Sequence, residues 1–124
     1  MVPIRSTRVA QSLFAHLADQ PREMTAFAYL DPEWRLLGMR HGPAGDVSAA
    51  EVPIRAIARD AVAFGAARVV MAHNHPMGDA TPSKADLAIT RRIAAVLDAV
   101  GVTLVDHLVL SRTGVTSLGA AGIV

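Results

Sequence analysis

Two histidines and an aspartate in the segment 73–86 have the types and spacing to hold a metal ion. His73 and His75 are two residues apart and follow the apolar run 68–72, which predicts a buried strand. If that strand extends into the motif, both imidazoles point to one face and can reach a single divalent cation. Asp86, ten intervening residues after His75, would be a third ligand. Three protein ligands with a fourth position left for water are typical of a catalytic zinc site, not of a closed structural one.

The same residues have simpler explanations. A His-x-His pair also occurs at ordinary strand ends, and Ser83 with Asp86 forms the Ser-x-x-Asp pattern of a helix N-terminal cap. The fixed offset of Asp86 from the histidines favours ligation, and we expect that a zinc-bound carboxylate cannot also reach back freely to cap the helix. Asp106 and His107 lie in an apolar strand and fit either a satisfied structural pair or contacts that orient a metal ligand.

The composition excludes several classes of protein. The 124 residues are 52% hydrophobic, which is enough to build the core of one domain spanning 1–124. The absence of cysteine excludes a disulfide scaffold and a thiolate metal site. No apolar run approaches the roughly 18 residues of a membrane helix, and no signal peptide is recognisable, so we expect a cytoplasmic protein with no membrane partner. The net charge is +1 and the basic residues are scattered, so charge argues only weakly for a nucleic-acid partner.

The elements that must position the motif follow the order α-β-β-β-α-β-α-β-β. Helices are predicted to begin at Ser6, Pro53 and Ser83, and the last two to end at Gly65 and Gly101. Strands are predicted over 24–30, 34–40, 47–52, 68–72, 102–110 and 115–118. This order indicates an α/β fold in which a mixed sheet is flanked by helices.

The motif resembles that of a known family. His73-Asn74-His75-Pro76 followed by Ser83-x-x-Asp86 is similar to the JAMM (MPN+) metalloprotease signature. The sequence around the motif is similar to the RadC-like JAB domains from about residue 23 to residue 118, with Met77 where that branch commonly has Ser. Further matching residues are Gly78, Asp79, Thr81, Pro82, Thr90, Asp106 and His107. The resemblance implies the three-layer JAB/MPN (cytidine-deaminase-like) architecture.

The resemblance also implies a role for each site residue. His73, His75 and Asp86 match the zinc ligands, with a water completing the coordination. Ser83 matches the serine that stabilises the oxyanion. Glu23 is the best match to the general-base glutamate, because Phe27, Tyr29 and Leu30 fit the strand that follows it in the family. Glu33 and Glu51 are the competing glutamates, and Glu33 falls in an expected turn.

The function that this resemblance implies is a zinc-dependent peptidase or isopeptidase acting on a protein substrate. The alternative is a non-hydrolytic, metal-bearing module that binds protein or DNA in a DNA-repair-related role. A second copy of the chain is a further candidate partner, since exposed strand edges can pair. Two histidines and one aspartate do not by themselves select zinc over iron, manganese or nickel.

Overall fold

The computed structural model describes residues 3–42 and 53–124, which form a mixed five-stranded sheet with three helices. The helices are α1 (Thr7–Phe14), α2 (Ile54–Phe64) and α3 (Lys84–Ala99). The strands are β1 (Thr25–Leu30), β2 (Leu36–His41), β3 (Arg68–Asn74), β4 (Thr103–Ser111) and β5 (Gly114–Ser117). The α/β class is confirmed. The strand predicted over 47–52, with Glu51 in it, lies outside the described residues.

The sheet places β3 at its centre. The strand order is β2-β1-β3-β4-β5, in which β3 and β4 run parallel and every other neighbouring pair is antiparallel. The parallel connection from β3 to β4 runs through α3, as a crossover of this kind requires. The segment after β3 and the start of α3 therefore lie at one end of the sheet, where the motif begins.

Each face of the sheet packs against helices, which gives three layers. On one face, α1 and the 3-10 turn Ala15–Leu17 pack on Ala26, Ala28 and other alternate residues of the strands. On the opposite face, α2 and α3 pack on residues such as Phe27, Val69 and Met71. The alternation of buried residues along β1 and β3 follows from the period of two in a strand covered on both faces.

Most predicted helix boundaries are confirmed by their caps. The Ser6 side chain accepts a hydrogen bond from the Val9 N–H, and Gly65 ends α2 in the left-handed conformation with φ +67°. Helical periodicity predicts Val62 on the apolar face of α2 and Val100 on that of α3, but both are exposed. Ile93 and Leu97 of the predicted face of α3 are buried, and Ile89, four residues before Ile93, is buried with them.

Two strands differ by two residues from their predicted bounds, and the other three differ by one residue. The second begins at Leu36 and not at Trp34, because Trp34 has φ +68° and donates its N–H to the Asp31 carbonyl in a turn. The central strand β3 runs two residues past its predicted end, to Asn74, so that His73 belongs to the sheet. Within 3–42 and 53–124, no helix has the length and apolar character needed to cross a membrane.

Candidate metal centre

The two motif histidines meet at the end of β3. His73 is held in the strand with 3% of its surface exposed, and His75 follows one residue beyond the strand. The backbone N–H of His75 still donates to the Leu110 carbonyl of β4 at 2.7 Å, so the chain keeps its extended course. The two Nε2 atoms lie 2.9 Å apart. Both rings therefore point to one face, as the alternation along a strand predicts.

Asp86 approaches both histidines from the first turn of α3. Its Oδ1 lies 3.3 Å from His73 Nε2, and its Oδ2 lies 3.2 Å from His75 Nε2. Burial alone would raise the pKa of Asp86, but His73 and the hydrogen bonds with Ser83 hold that pKa well below its usual range. The carboxylate is therefore ionised, which is the form that binds a metal.

Asp86 also completes the cap of α3. The Ser83 N–H donates to Asp86 Oδ2 at 2.8 Å, and the Asp86 N–H donates to Ser83 Oγ at 3.0 Å. We expected that a zinc-bound carboxylate cannot also reach back freely to cap the helix. In this structure the Asp86 carboxylate caps the helix and faces both histidines at the same time. The cap holds the carboxylate against the histidines, because an oxygen that accepts one N–H has a second lone pair.

Among the glutamates of the described ranges 3–42 and 53–124, Glu23 is the one that belongs to this cluster. It lies two residues before β1, about one-third exposed, with Oε1 3.7 Å from His73 Nε2. The competing Glu33 lies in the turn after β1, where its carboxylate is 3.4 Å from Arg35. Ligand atoms of four side chains lie within 4.8 Å of one another: those of Glu23, His73, His75 and Asp86.

Asn74, which sequence reasoning passed over, fixes the segment that carries Glu23. Its side chain is fully buried and points to the sheet face opposite His73. Its Oδ1 accepts the Met24 N–H at 2.6 Å, and its Nδ2 donates to the carbonyls of Gln20 and Arg22 at 3.2 and 2.9 Å. The signal was available in the sequence, since a polar residue between two ligands on a strand must face the other side.

The side chains of Asp106 and His107 do not pair, although the His107 backbone N–H donates to Asp106 Oδ1 at 2.8 Å. Asp106 turns toward β5, where its carboxylate accepts from the Ser117 hydroxyl at 2.8 and 2.9 Å and from the Gly119 N–H at 2.9 Å. His107 is fully buried on the site face, with Nε2 2.6 Å from Nδ1 of His73. Burial, aided by the neighbouring His73, lowers the pKa of His107 to about 3. His107 is therefore neutral at pH 7.

The donor set fits zinc. Both motif histidines have their Nδ1 atoms engaged elsewhere, His73 with His107 and His75 with the Asp79 carbonyl at 2.8 Å. This leaves both Nε2 atoms facing the two carboxylates, and nitrogen and carboxylate oxygen ligands are the ones zinc uses when no thiolate is available. Engagement of the second ring nitrogen is the usual arrangement around a metal-binding histidine.

A groove of about 760 Å³ opens beside the cluster. Glu23 and His75 line it, together with apolar residues that include Pro21, Pro76 and Met77. Met77 is 96% exposed, at the position where the sequence departs from the RadC-like pattern. The cluster is therefore open to a ligand from solvent along a partly apolar wall.

Comparison with known proteins gives a consistent result. A family model for the RadC-like JAB domain matches residues 4–123. The UPF0758 protein of Alcanivorax borkumensis is 41% identical over 117 residues, which cover 94% of this chain and 52% of the relative. A UPF0758 protein of Marinomonas sp. is 40% identical over 112 residues, which cover 90% and 50%. The UPF0758 protein YfjY of Escherichia coli K12 is 36% identical over 123 residues, which cover 98% and 77%. The chain thus spans about half the length of the first two relatives.

Proposed function

This chain belongs to the RadC-like JAB domain family, and on that premise we propose that it is a zinc-dependent hydrolase of peptide or isopeptide bonds in a protein substrate. The observation that carries the proposal is the convergence of two imidazole nitrogens and two carboxylates within 4.8 Å, beside an open groove. Zinc bound there would polarise the scissile carbonyl and activate a water molecule at neutral pH.

Glu23 is the general base in this proposal. Its carboxylate faces His73 from outside the capped segment and also lines the groove, so it can contact both the attacking water and the substrate. It would take the proton from the water and pass it to the leaving nitrogen. Asp86, by contrast, is engaged in the cap of α3 and is more deeply buried.

Ser83 is the oxyanion donor in this proposal. Its Oγ accepts the Asp86 N–H, so the hydrogen of the hydroxyl remains available to be donated. A donor aimed at the carbonyl oxygen stabilises the negative charge that develops there when water attacks. The same serine therefore caps α3 and serves the reaction.

Zinc content is the first test. Elemental analysis of the untagged wild type should give about one zinc per chain, and His75→Ala prepared in parallel should lose it, since ligation needs the Nε2 of His75. A wild type that holds no zinc and takes up none on addition would rule out the hydrolase.

Glu23→Gln tests the chemistry with a matched control in Glu33→Gln. On a panel of peptide and isopeptide substrates, Glu23→Gln should lower turnover by about 10²–10⁴-fold while keeping its zinc, because a general base contributes an effect of that size. Glu33→Gln should retain wild-type turnover, since Glu33 pairs with Arg35 in a remote turn. Equal loss in both variants would contradict the role of Glu23.

The non-hydrolytic module is the outcome if the wild type holds zinc and cuts no substrate. A DNA-binding form of it would show affinity that falls steeply with salt, with a log–log slope set by the number of phosphates contacted. Binding of that kind, unaffected by Glu23→Gln, would favour the module over the hydrolase.

A further inference from the structure

A buried line of hydrogen bonds runs from His73 to the helix that carries Asp86. His73 Nδ1 lies 2.6 Å from His107 Nε2, and His107 Nδ1 lies 2.6 Å from Thr90 Oγ1. The Thr90 hydroxyl also lies 2.6 Å from the backbone carbonyl of Asp86. His73, His107 and Thr90 are all buried, so solvent does not compete for these bonds.

The direction of every bond in this line follows from its last member. A backbone carbonyl can only accept, so the single hydroxyl hydrogen of Thr90 is donated to the Asp86 carbonyl. Thr90 Oγ1 must then accept from His107, which places the proton of His107 on Nδ1. The ring of His107 is fully buried, and its two nitrogens face the Thr90 hydroxyl and His73 Nδ1. Since burial disfavours a charged imidazole, His107 Nε2 carries a lone pair and accepts from the Nδ1–H of His73.

We propose that Thr90 and His107 are positioning residues that fix the tautomer of His73, so that its Nε2 is the nitrogen offered to a metal, and that tie His73 to the helix bearing Asp86. This inference rests on the metal-binding part of the proposed function and needs no substrate. The acceptor for His73 is a second neutral histidine, where a carboxylate or a backbone carbonyl is more usual. The Thr90 hydroxyl of α3 therefore determines, through His107, which ring nitrogen of His73 carries the proton.

The pair Thr90→Val and Thr90→Ser separates this role from packing. Valine has nearly the same shape as threonine but no hydroxyl, whereas serine keeps the hydroxyl and loses a methyl group. Zinc affinity is measured by competition with a chelator of known affinity. Thr90→Val should bind zinc about 10–100-fold more weakly, as loss of such supporting contacts does elsewhere, and Thr90→Ser should bind like the wild type. Equal affinity of all three proteins would overturn the proposal.

Imidazole ¹⁵N NMR of the zinc-free protein gives the second readout, which a merely structural role would not move. The expected signature in the wild type is a neutral His107 protonated at Nδ1 alone. In Thr90→Val the proton of His107 should redistribute to Nε2, because Nδ1–H loses its acceptor. A wild-type His107 protonated at Nε2 would overturn the proposal.

His107→Leu and His107→Gln extend the test along the line. Leucine removes the acceptor for His73 and should weaken zinc binding at least as much as Thr90→Val, while glutamine restores a carbonyl acceptor and should recover part of the affinity. If His107→Leu does not fold, the Thr90 pair decides alone. Failure of this inference appears as unchanged zinc affinity, whereas failure of the proposed hydrolase appears as a zinc-loaded protein without turnover.

Discussion

Each motif histidine uses its two ring nitrogens differently. The Nε2 atoms face one another and the carboxylates, while the Nδ1 atoms hold the rings in orientation through His107 and the Asp79 carbonyl. Asp79 is itself fixed, because its side chain accepts from the Thr81 hydroxyl and N–H at 2.6 and 2.9 Å. These bonds lower the pKa of Asp79. Rings held in this way lose little further rotamer freedom when a ligand binds.

Asn74→Ala should release the segment that carries Glu23. The variant loses one acceptor and two donors that hold the backbone of residues 20–24. Leaving those buried backbone groups without partners should lower the free energy of unfolding by about 1–3 kcal/mol. Amide hydrogen exchange at Met24, whose N–H bonds to Asn74, should accelerate strongly, and turnover should fall while zinc is retained, since His73 and His75 face the other way.

Gln20→Ala is the control for this prediction. The Gln20 side chain bonds to the His16 carbonyl, and its own carbonyl, which Asn74 contacts, is unchanged by the substitution. Exchange at Met24 that stays slow in Asn74→Ala, or that accelerates equally in both variants, would show that the Asn74 side chain does not hold this segment.

The cluster residues differ in how far the sequence alone could reach them. His73, His75 and Asp86 were predicted by type and spacing, because a strand and a helix start fix where their side chains go. Glu23 could be predicted only from the resemblance to the RadC-like JAB domains, since 50 positions separate it from His73 along the chain. Strand alternation could place Asn74 on the face opposite the histidines, but neither Asn74 nor Thr90 carried a signal for the groups that it contacts. Asn74 contacts the backbone of residues 20–24, and Thr90 contacts the Asp86 carbonyl and the His107 ring. Only the folded chain brings these groups together.

A bulge in β4 puts His107 on the site face. Val69 pairs with Leu104, but Val70 pairs with Asp106, so Val105 is an extra residue between them. Without this extra residue, the side chains of β4 after Leu104 would each point to the opposite face, and Asp106 would take the position of His107 opposite Met71. The apolar residues of this segment predicted the strand. They did not predict the bulge, because a break in the alternation of polar and apolar residues does not show which residue is left unpaired.

Ser83 variants separate the cap of α3 from the proposed oxyanion role. Ser83→Ala should lower the free energy of unfolding by about 1 kcal/mol, whereas Ser83→Gly should cost only a few tenths, since glycine is tolerated at this helix position. Both variants lack the hydroxyl, so both should lose turnover by about 10²-fold or more. Urea unfolding and steady-state rates give the two quantities.

Ser83→Thr completes this series, because threonine keeps a hydroxyl that can both cap and donate. We expect near wild-type stability and substantial turnover. If Ser83→Gly retained full turnover, the serine would serve the cap alone, and another group would have to be the oxyanion donor.

The cluster joins three parts of the chain that are far apart in sequence. Glu23 precedes β1, the two histidines end β3, and Asp86 opens α3. β3 is the central strand and is bonded on both sides, to β1 and β4, so the end of the strand that carries the histidines is held from both sides. Glu23 comes from a short segment whose position depends on hydrogen bonds to Asn74 of β3. Asp86 comes from a helix start whose position depends on the cap. A bound metal would therefore link the sheet to its covering helix.

Zinc should accordingly stabilise the folded chain as a whole. A ligand that binds the native state alone adds about 2.7 kcal/mol to the free energy of unfolding at a free concentration 100 times its dissociation constant. Urea unfolding followed with buffered zinc, and again with a strong chelator, should differ by about that amount in the wild type. His75→Ala should give the same unfolding curve in both conditions, because one of the three proposed zinc ligands is missing. A wild type that unfolds identically with and without zinc, or a variant that gains as much stability from it, would mean that the metal does not link these elements.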